Sequence, residues 1–192
     1  FKRTLIILLP FVFGMFAIVP LHLLVWRYYY KMQLLYTYSP GHLWFLANIF
    51  AYVILLSPIL FYLKKNEDGK IVQVIKKLFS APFGLLIVIS AFLAEAFIVK
   101  PVPYELYAMT GHGFFLGLLA FFLGFCFVLS GDAFWQMLVR LRWLFLPIAI
   151  GLFVLRMNYF GMNTPVYLIV LESQVWIFSV LAFGNKYRFT GK

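Results

Sequence analysis

Charged residues are scarce in this chain, and acidic residues are the scarcer of the two signs. Only 11% of the 192 residues are Asp, Glu, Lys or Arg, with six acidic residues against sixteen basic ones. Hydrophobic residues make up 65% of the chain, and a soluble domain cannot cover so much apolar material. The composition therefore excludes a soluble globular protein and predicts an integral membrane protein surrounded by the lipid bilayer.

Cysteine occurs once, at Cys126, inside an apolar run. A single cysteine excludes a disulfide framework and a thiolate metal site within the chain. No spacing of His, Cys, Asp and Glu residues is typical of a metal site, and the sequence has neither a Gly-x-Ser-x-Gly elbow nor a phosphate-cradling glycine loop. The sequence therefore predicts no metal cofactor.

Six apolar runs are long enough, or nearly long enough, to cross a bilayer. The second run carries no charged residue from Leu43 to Leu63, and as a helix it would extend about 31 Å, which is the thickness of a bilayer's hydrocarbon core. We therefore predict an all-α polytopic bundle of about six transmembrane helices that forms one domain over residues 1–192. The predicted spans are Leu5–Trp26, Leu43–Leu63, Leu78–Val99, Gly113–Leu129, Trp143–Leu155 and Pro165–Phe183.

Three connecting segments have patterns of their own. The segment 64–77 is predicted to end in a short amphipathic surface helix, because apolar residues recur there at helical spacing. The segment from Asp132 to Arg142 resembles a half-polar surface helix, whereas Arg156 to Thr164 reads as a loop that contains Asn158, Gly161 and Asn163. The apolar residues of the first segment are Ile71, Val74, Ile75 and Leu78.

The basic residues lie mostly in short loops between apolar runs, which makes them signals of topology and not of nucleic-acid binding. Five lysines follow the second run within residues 64–77, and such a cluster stays in the cytoplasm. With the amino terminus inside, twelve cations lie on the cytoplasmic side and four outside. Both ends of the chain are therefore predicted to be cytoplasmic.

Ionisable residues inside spans are costly, so they are candidates for function. The predicted topology places two carboxylates and all three histidines in the outer half of the bilayer or at its surface. We interpret them as an acceptor pocket that opens outward and binds a polyhydroxylated molecule. Its predicted residues are Glu95, Glu172, His42, His112 and His22.

A plainer interpretation stays open for both sides of the membrane. The histidines would be ordinary interfacial residues, and the carboxylates would pair with Arg27, Lys100 or Arg156. On the inner side, basic residues flank the helix ends, and they either anchor the topology or bind the phosphates of a coenzyme A moiety, which suits arginine. These inner residues are Lys2, Arg3, Arg140 and Arg142.

Three short segments resemble the acyltransferase 3 family of bacterial membrane O-acyltransferases. The start of the second span, GHLWFL at Gly41–Leu46, is the most specific of them. The other two are RTLIILLPFVFG at Arg3–Gly14 and FWQMLVRLRW at Phe134–Trp143. The similarity extends over essentially the whole chain, which corresponds to the middle and later part of the family's domain of about ten spans.

The resemblance implies transfer of an acyl group, acetyl or succinyl, from cytoplasmic acyl-CoA to an extracytoplasmic glycan or lipid-linked sugar. It implies a location in the bacterial inner membrane and a role in modifying a cell-envelope polysaccharide. The family's essential histidine lies upstream of Phe1, and of its Arg-x-x-Arg pair only Arg3 is present, with Ile6 in the second place. We therefore expect a fragment of a longer enzyme that is inactive alone, with its catalytic base outside the chain.

Two other functions fit the same sequence. A transporter or flippase for an envelope glycolipid would need discontinuous helices and charges near the bilayer midplane, and Pro58 and Pro147 are the only hints of mid-span breaks. A non-catalytic membrane subunit would fit the missing histidine.

Overall fold

The computed structural model describes residues 2–101, 104 and 106–187, and no strand occurs in them. Helices account for most of this part of the chain. The α-helices are α1 (Lys2–Phe13), α2 (Val19–Tyr29), α3 (Trp44–Lys65), α4 (Lys70–Phe79), α5 (Phe83–Val99), α6 (Gly111–Ser130), α7 (Asp132–Arg140), α8 (Arg142–Leu155) and α9 (Val166–Lys186).

Five continuous helical segments in the described residues are long and apolar enough to cross a membrane, and a bent pair of helices makes a sixth candidate. Many of their large apolar side chains lie on the outside, such as Ile98, which is 80% exposed. That arrangement suits lipid and not water. The prediction of an all-α polytopic membrane bundle is confirmed. The five segments are Leu8–Tyr29, Trp44–Lys65, Gly111–Ser130, Arg142–Phe160 and Val166–Lys186.

The chain divides into two compact units, residues 1–58 and 59–192. In the first unit, a π-helical segment at Gly14–Ile18 joins α1 to α2. Gly41, the first residue of the GHLWFL segment, has a left-handed φ of +48°, and a Cβ there would lie 3.1 Å from a methyl carbon of Val19. Glycine is therefore favoured at this position, because a side chain would be strained at this φ and would crowd Val19.

The bent pair corrects the predicted start of the third span. Residues 70–79 form the amphipathic helix α4, and α5 begins at Phe83 after a turn of 96°. Pro82 follows that turn, and Gly84 lies so close to the Leu78 carbonyl that a Cβ would collide with it. Proline cannot continue the ladder of the preceding helix, so the predicted span Leu78–Val99 is shortened to the 17 residues of α5.

The amphipathic pattern of α4 is only partly as predicted. Val72 and Phe79 are its buried residues, and Ile75 and Leu78 pack against the core beside them. Ile71 and Val74 are exposed. The buried face of α4 is therefore rotated about the helix axis from the face that the spacing of the apolar residues predicted.

The predicted loop after the fifth span is also corrected. Residues Arg156–Phe160 continue α8 as a π-helical segment, which lengthens the apolar segment to the 19 residues of Arg142–Phe160. Gly161 ends it with a φ of +52°. The extension matters because it carries Arg156 at the end of the span.

The core of the second unit forms where α7 packs against α6, α8 and α9. Phe134 and Leu138 of α7 have no exposed surface, and the Phe134 ring stacks on Phe127 of α6 with centroids 4.5 Å apart. The predicted half-polar helix at 132–142 is thus present as α7, which ends at Arg140, and its apolar face is buried in the bundle.

Candidate functional site: two buried polar pairs

Glu95 of α5 and His112 of α6 form a buried pair. Nδ1 of His112 lies 2.8 Å from Oε1 of Glu95, and the side chains are 3% and 8% exposed for the histidine and the glutamate. When the carboxylate is ionised, the ring Nδ1–H donates this hydrogen bond. Of the five residues predicted to form the acceptor pocket, these two are in direct contact.

The start of α6 brings His112 to this position. Thr110 is the N-cap of α6, and its hydroxyl accepts a hydrogen bond of 3.0 Å from the backbone N–H of Gly113. Gly113 also lies against the carbonyl of Tyr107, where no Cβ could fit. The cap and the close approach place His112 in the first turn of α6, at the end of its span, where its side chain is buried.

The imidazole has a second neighbour in the segment before α6. The ring of Tyr104 lies against His112 with centroids 4.9 Å apart and the rings tilted by 58°, and Tyr104 is itself buried. An imidazole held by a carboxylate on one edge and an aromatic ring on one side has few orientations open to it. Its geometry is therefore preorganised.

Each member of this pair has one polar atom that remains unused. Within the described part of the chain, neither Nε2 of His112 nor Oε2 of Glu95 has a hydrogen-bond partner, and both atoms are buried. A buried unsatisfied polar atom costs about 1–3 kcal/mol, so native proteins keep few of them without a reason.

Glu172 of α9 belongs to a second pair, with Arg156. Nε of Arg156 lies 2.6 Å from Oε2 of Glu172, and Nη2 lies 3.1 Å from Oε1. Both carboxylate oxygens are therefore engaged in a bidentate arrangement, which is the strongest geometry for this ion pair. The glutamate side chain is 8% exposed and the arginine 28%. This is the pairing that the plainer interpretation allowed.

The two pairs occur at equivalent ends of their helices. Glu95 is four residues before the end of α5, and Glu172 is six residues after the start of α9, which corresponds to depths of about 6 and 9 Å. Because consecutive spans cross a membrane in opposite directions, these two helix ends lie on the same side. Glu95 thus lies midway between the middle and the end of α5, and Glu172 lies slightly nearer to the middle of α9 than to its start.

The remaining residues of the predicted pocket lie in the first unit. His22 is exposed on α2, and the side chain of His42 is outside the described residues. The structure therefore assigns contacts to three of the five predicted pocket residues and leaves the role of the two others a prediction.

The basic residues predicted to bind the coenzyme A phosphates differ in their contacts. Arg140 lines a cavity of about 350 Å³ together with Ser80, Gln136 and other residues of α7 and the α4–α5 turn. Arg142 donates a hydrogen bond of 2.7 Å to the Val139 carbonyl and lies over the Trp143 ring. Arg140 is thus available to a ligand. Arg142 contacts its own chain, but its Nε is buried without a hydrogen-bond partner within the described residues, so its role stays a prediction. The side chains of Lys2 and Arg3 are outside the described residues.

Sequence reasoning missed the partner of His112 and the contact with Tyr104. The signal for the first was present in Thr110-Gly111-His112-Gly113, since a threonine before a helix predicts an N-cap. Beginning α6 at Gly111 would have put His112 in its first turn. Nothing in the sequence points to Tyr104.

No protein-family model, curated protein or solved structure matches this chain significantly. The resemblance to the acyltransferase 3 family therefore rests on the three short segments alone.

In the part of the chain that the structure describes, no three His, Cys, Asp or Glu side chains come together as a possible metal site.

Proposed function

We propose that the chain is part of an integral membrane O-acyltransferase that moves an acetyl or succinyl group from cytoplasmic acyl-CoA to an extracytoplasmic glycan or lipid-linked sugar. The observation that carries the proposal is the presence of two buried carboxylates, Glu95 and Glu172, on one side of an apolar bundle. Ionisable side chains at such places are expensive and usually functional. A hydroxyl-rich acceptor needs groups of this kind in its binding site.

The other end of the bundle supports a donor site. In the proposed topology, Arg140 and the cavity that it shares with Ser80 and Gln136 lie on the cytoplasmic side with the lysines of 64–77. The phosphates of a coenzyme A moiety would suit an arginine at that place. Three segments that resemble the acyltransferase 3 family add to this support, and the inner membrane of a bacterium would be the matching location.

A transporter for an envelope glycolipid is the second candidate. It is favoured by π-helical segments in two of the spans, at Gly14–Ile18 and Arg156–Phe160, because π turns often mark functional sites in helices. A transporter would have its charges near the midplane, whereas Glu95 and Glu172 lie within about two turns of the helix ends. We therefore rank it below the acyltransferase.

The test is a transfer assay with the full-length protein that contains this chain. Membranes are incubated with radiolabelled acetyl-CoA or succinyl-CoA, and the label in the envelope glycan fraction is counted. We expect labelling that depends on the protein and falls in Glu95→Gln and Glu172→Gln, whereas Glu67→Gln, on the exposed turn after α3, leaves it unchanged. The absence of label with both donors would remove the proposal, and release of intact glycolipid across the membrane would favour the transporter.

A further inference from the structure

Helix α4 has an apolar surface that the bundle does not cover. It buries Val72 and Phe79, whereas Ile71 and Val74 are 54% and 64% exposed. The helix leads into the apolar helix α5 through a bend of 96°. A helix that makes such an angle with a span runs roughly along the membrane surface, where lipid covers its exposed apolar side chains.

Two lysines of α4 are free to contact a ligand. Lys70 and Lys77 are exposed, and their spacing places them on one side of the helix, about 10 Å apart. Two other lysines are bound to the turn before α4, since Lys64 pairs with Glu67 at 2.6 Å and Lys76 donates to the Glu67 carbonyl. Within the described residues, neither Lys70 nor Lys77 has a hydrogen bond or an ion pair.

A groove at the bend brings the apolar surface and one of these cations together. The groove has a volume of about 330 Å³ and is lined by Val74, Lys77, Leu78, Ala81 and Phe83. Phe83 is the first residue of α5 and is 63% exposed, so the apolar wall continues onto the outer surface of that helix. Among these five side chains, that of Lys77 alone is charged, and it lies one turn from Val74.

We propose that this groove binds one anionic phospholipid of the surrounding bilayer. An acyl chain lies against Val74, Leu78 and Phe83 and continues along α5, while the ammonium group of Lys77 contacts the phosphate at the membrane surface. An anionic headgroup is favoured over a zwitterionic one, because the cationic group of a zwitterionic headgroup cancels the charge that Lys77 attracts. The site lies within the second unit and does not depend on the acyl transfer proposed above.

A phospholipid fits the groove better than other occupants do. Phe83 and Leu86 of α5 are 63% and 57% exposed, so acyl chains of the bilayer lie against the surface that continues from the groove. A free phosphate would use the cation but leave the apolar wall uncovered. The long stem of Lys77 can lie along apolar surface while its ammonium group reaches the level of the phosphates. A lipid with a negative charge satisfies the wall and the cation together.

Native mass spectrometry of the full-length protein in a non-ionic detergent tests the cation. Phosphatidylglycerol and phosphatidylcholine are added in equal amounts, and we expect one phosphatidylglycerol to be retained in preference. Lys77→Gln should weaken its binding about fivefold, the effect of one cation near an anionic lipid surface, and Lys77→Arg should keep it. Lys70→Gln is the matched control. It removes the same charge from the same helix about 10 Å away, where screening is strong, and should weaken binding less than about twofold.

The apolar wall is tested by two further variants and by cross-linking. Val74→Asn should weaken the binding of both lipids, because both have the same acyl chains, whereas Ile71→Asn changes an exposed residue of α4 outside the groove lining and should have a smaller effect. A phosphatidylglycerol with a photoreactive diazirine in its chain should cross-link to residues 74–86 of the wild type. Size-exclusion elution shows that each variant is folded.

Four results would overturn the proposal. Equal losses in Lys77→Gln and Lys70→Gln would mean that the lysines attract anionic lipid by their summed charge and without a site. Equal retention of the two lipids by the wild type would remove the role of Lys77. Cross-linking elsewhere would remove the groove, and displacement of the lipid by millimolar inorganic phosphate would mean that the cation binds phosphate alone. The assay with labelled acyl-CoA tests acyl transfer separately from all four.

Discussion

Arg156 and Glu172 meet through two hydrogen bonds, although 16 residues separate them in the chain. The arginine lies on the π-helical extension of the fifth span, and the glutamate lies about two turns into α9. Helix α8 and helix α9 pack against each other, so the pair joins two neighbouring helices at one end. The guanidinium also lies over the Phe153 ring, with its central carbon 5.4 Å from the ring centroid.

This pair is expected to stabilise the second unit. Removing one partner leaves the other charge without a counter-charge, and for a fully buried pair this lowers the free energy of unfolding by about 3–5 kcal/mol. Because Arg156 is 28% exposed, we expect a smaller loss of about 1–3 kcal/mol in the free energy of unfolding for Glu172→Gln. Thermal unfolding in detergent, followed by circular dichroism, measures it.

Arg156→Lys and the exposed Lys64–Glu67 pair are the controls. Lysine keeps the charge but loses the bidentate fork, so Arg156→Lys should recover only part of the stability. The Lys64–Glu67 pair is 72% and 46% exposed, so Glu67→Gln should change the melting temperature far less than Glu172→Gln does. An equal melting temperature for Glu172→Gln and the wild type would contradict the assigned role.

Gly113 is expected to tolerate no side chain. A Cβ at this position collides with the Tyr107 carbonyl, whereas a Cβ at Gly124 of the same helix meets nothing within 4 Å. Gly113→Ala should therefore lower the free energy of unfolding by about 1–3 kcal/mol, as overpacking does, and shift His112 away from Glu95. Gly124→Ala should leave stability unchanged or raise it slightly, since alanine is the better helix former. Two variants of equal stability would show that the close approach does not occur.

The turn after α3 should show a pH effect of a known sign. The hydrogen bond from Lys64 and then its charge lower the pKa of the Glu67 carboxyl below its ordinary value. The contribution of this pair is therefore present above the pKa of the unfolded chain and is lost as the pH falls through the lower folded value. A carbon-13 NMR titration in micelles should give a lowered midpoint for Glu67, and Lys64→Gln should raise it. An unchanged midpoint in Lys64→Gln would exclude Lys64 as the cause.

The proposed orientation can be tested by cysteine labelling. Cys126 is buried, so it should not react with a membrane-impermeant maleimide. Labelling of a variant with one introduced cysteine then reports on that cysteine alone. Asp68→Cys should react only after the membrane is opened, whereas Ala108→Cys, in the segment before α6, should react on intact cells. Labelling of Asp68→Cys on intact cells would reverse the proposed donor and acceptor sides.

Much of the fold could be predicted because a membrane span is a local property. The thickness of the bilayer sets the length of a span, and the surrounding lipid requires apolar residues in it. A run such as Leu43–Leu63 therefore predicts a helix independently of the rest of the chain. The boundaries were less predictable. The break before Phe83 and the π-helical extension over Arg156–Phe160 depend on how the backbone packs at those ends.

The sequence by itself determined that Glu95, Glu172 and His112 lie within or beside apolar helices, where ionisable groups need partners. It left those partners open, since Arg27, Lys100 and Arg156 were all within plausible reach. Only the tertiary structure decided that Glu95 meets His112 and that Glu172 meets Arg156. The reason is that a side chain's partner depends on the rotation of each helix about its axis and on which helices are neighbours, and both are set by packing across the whole bundle.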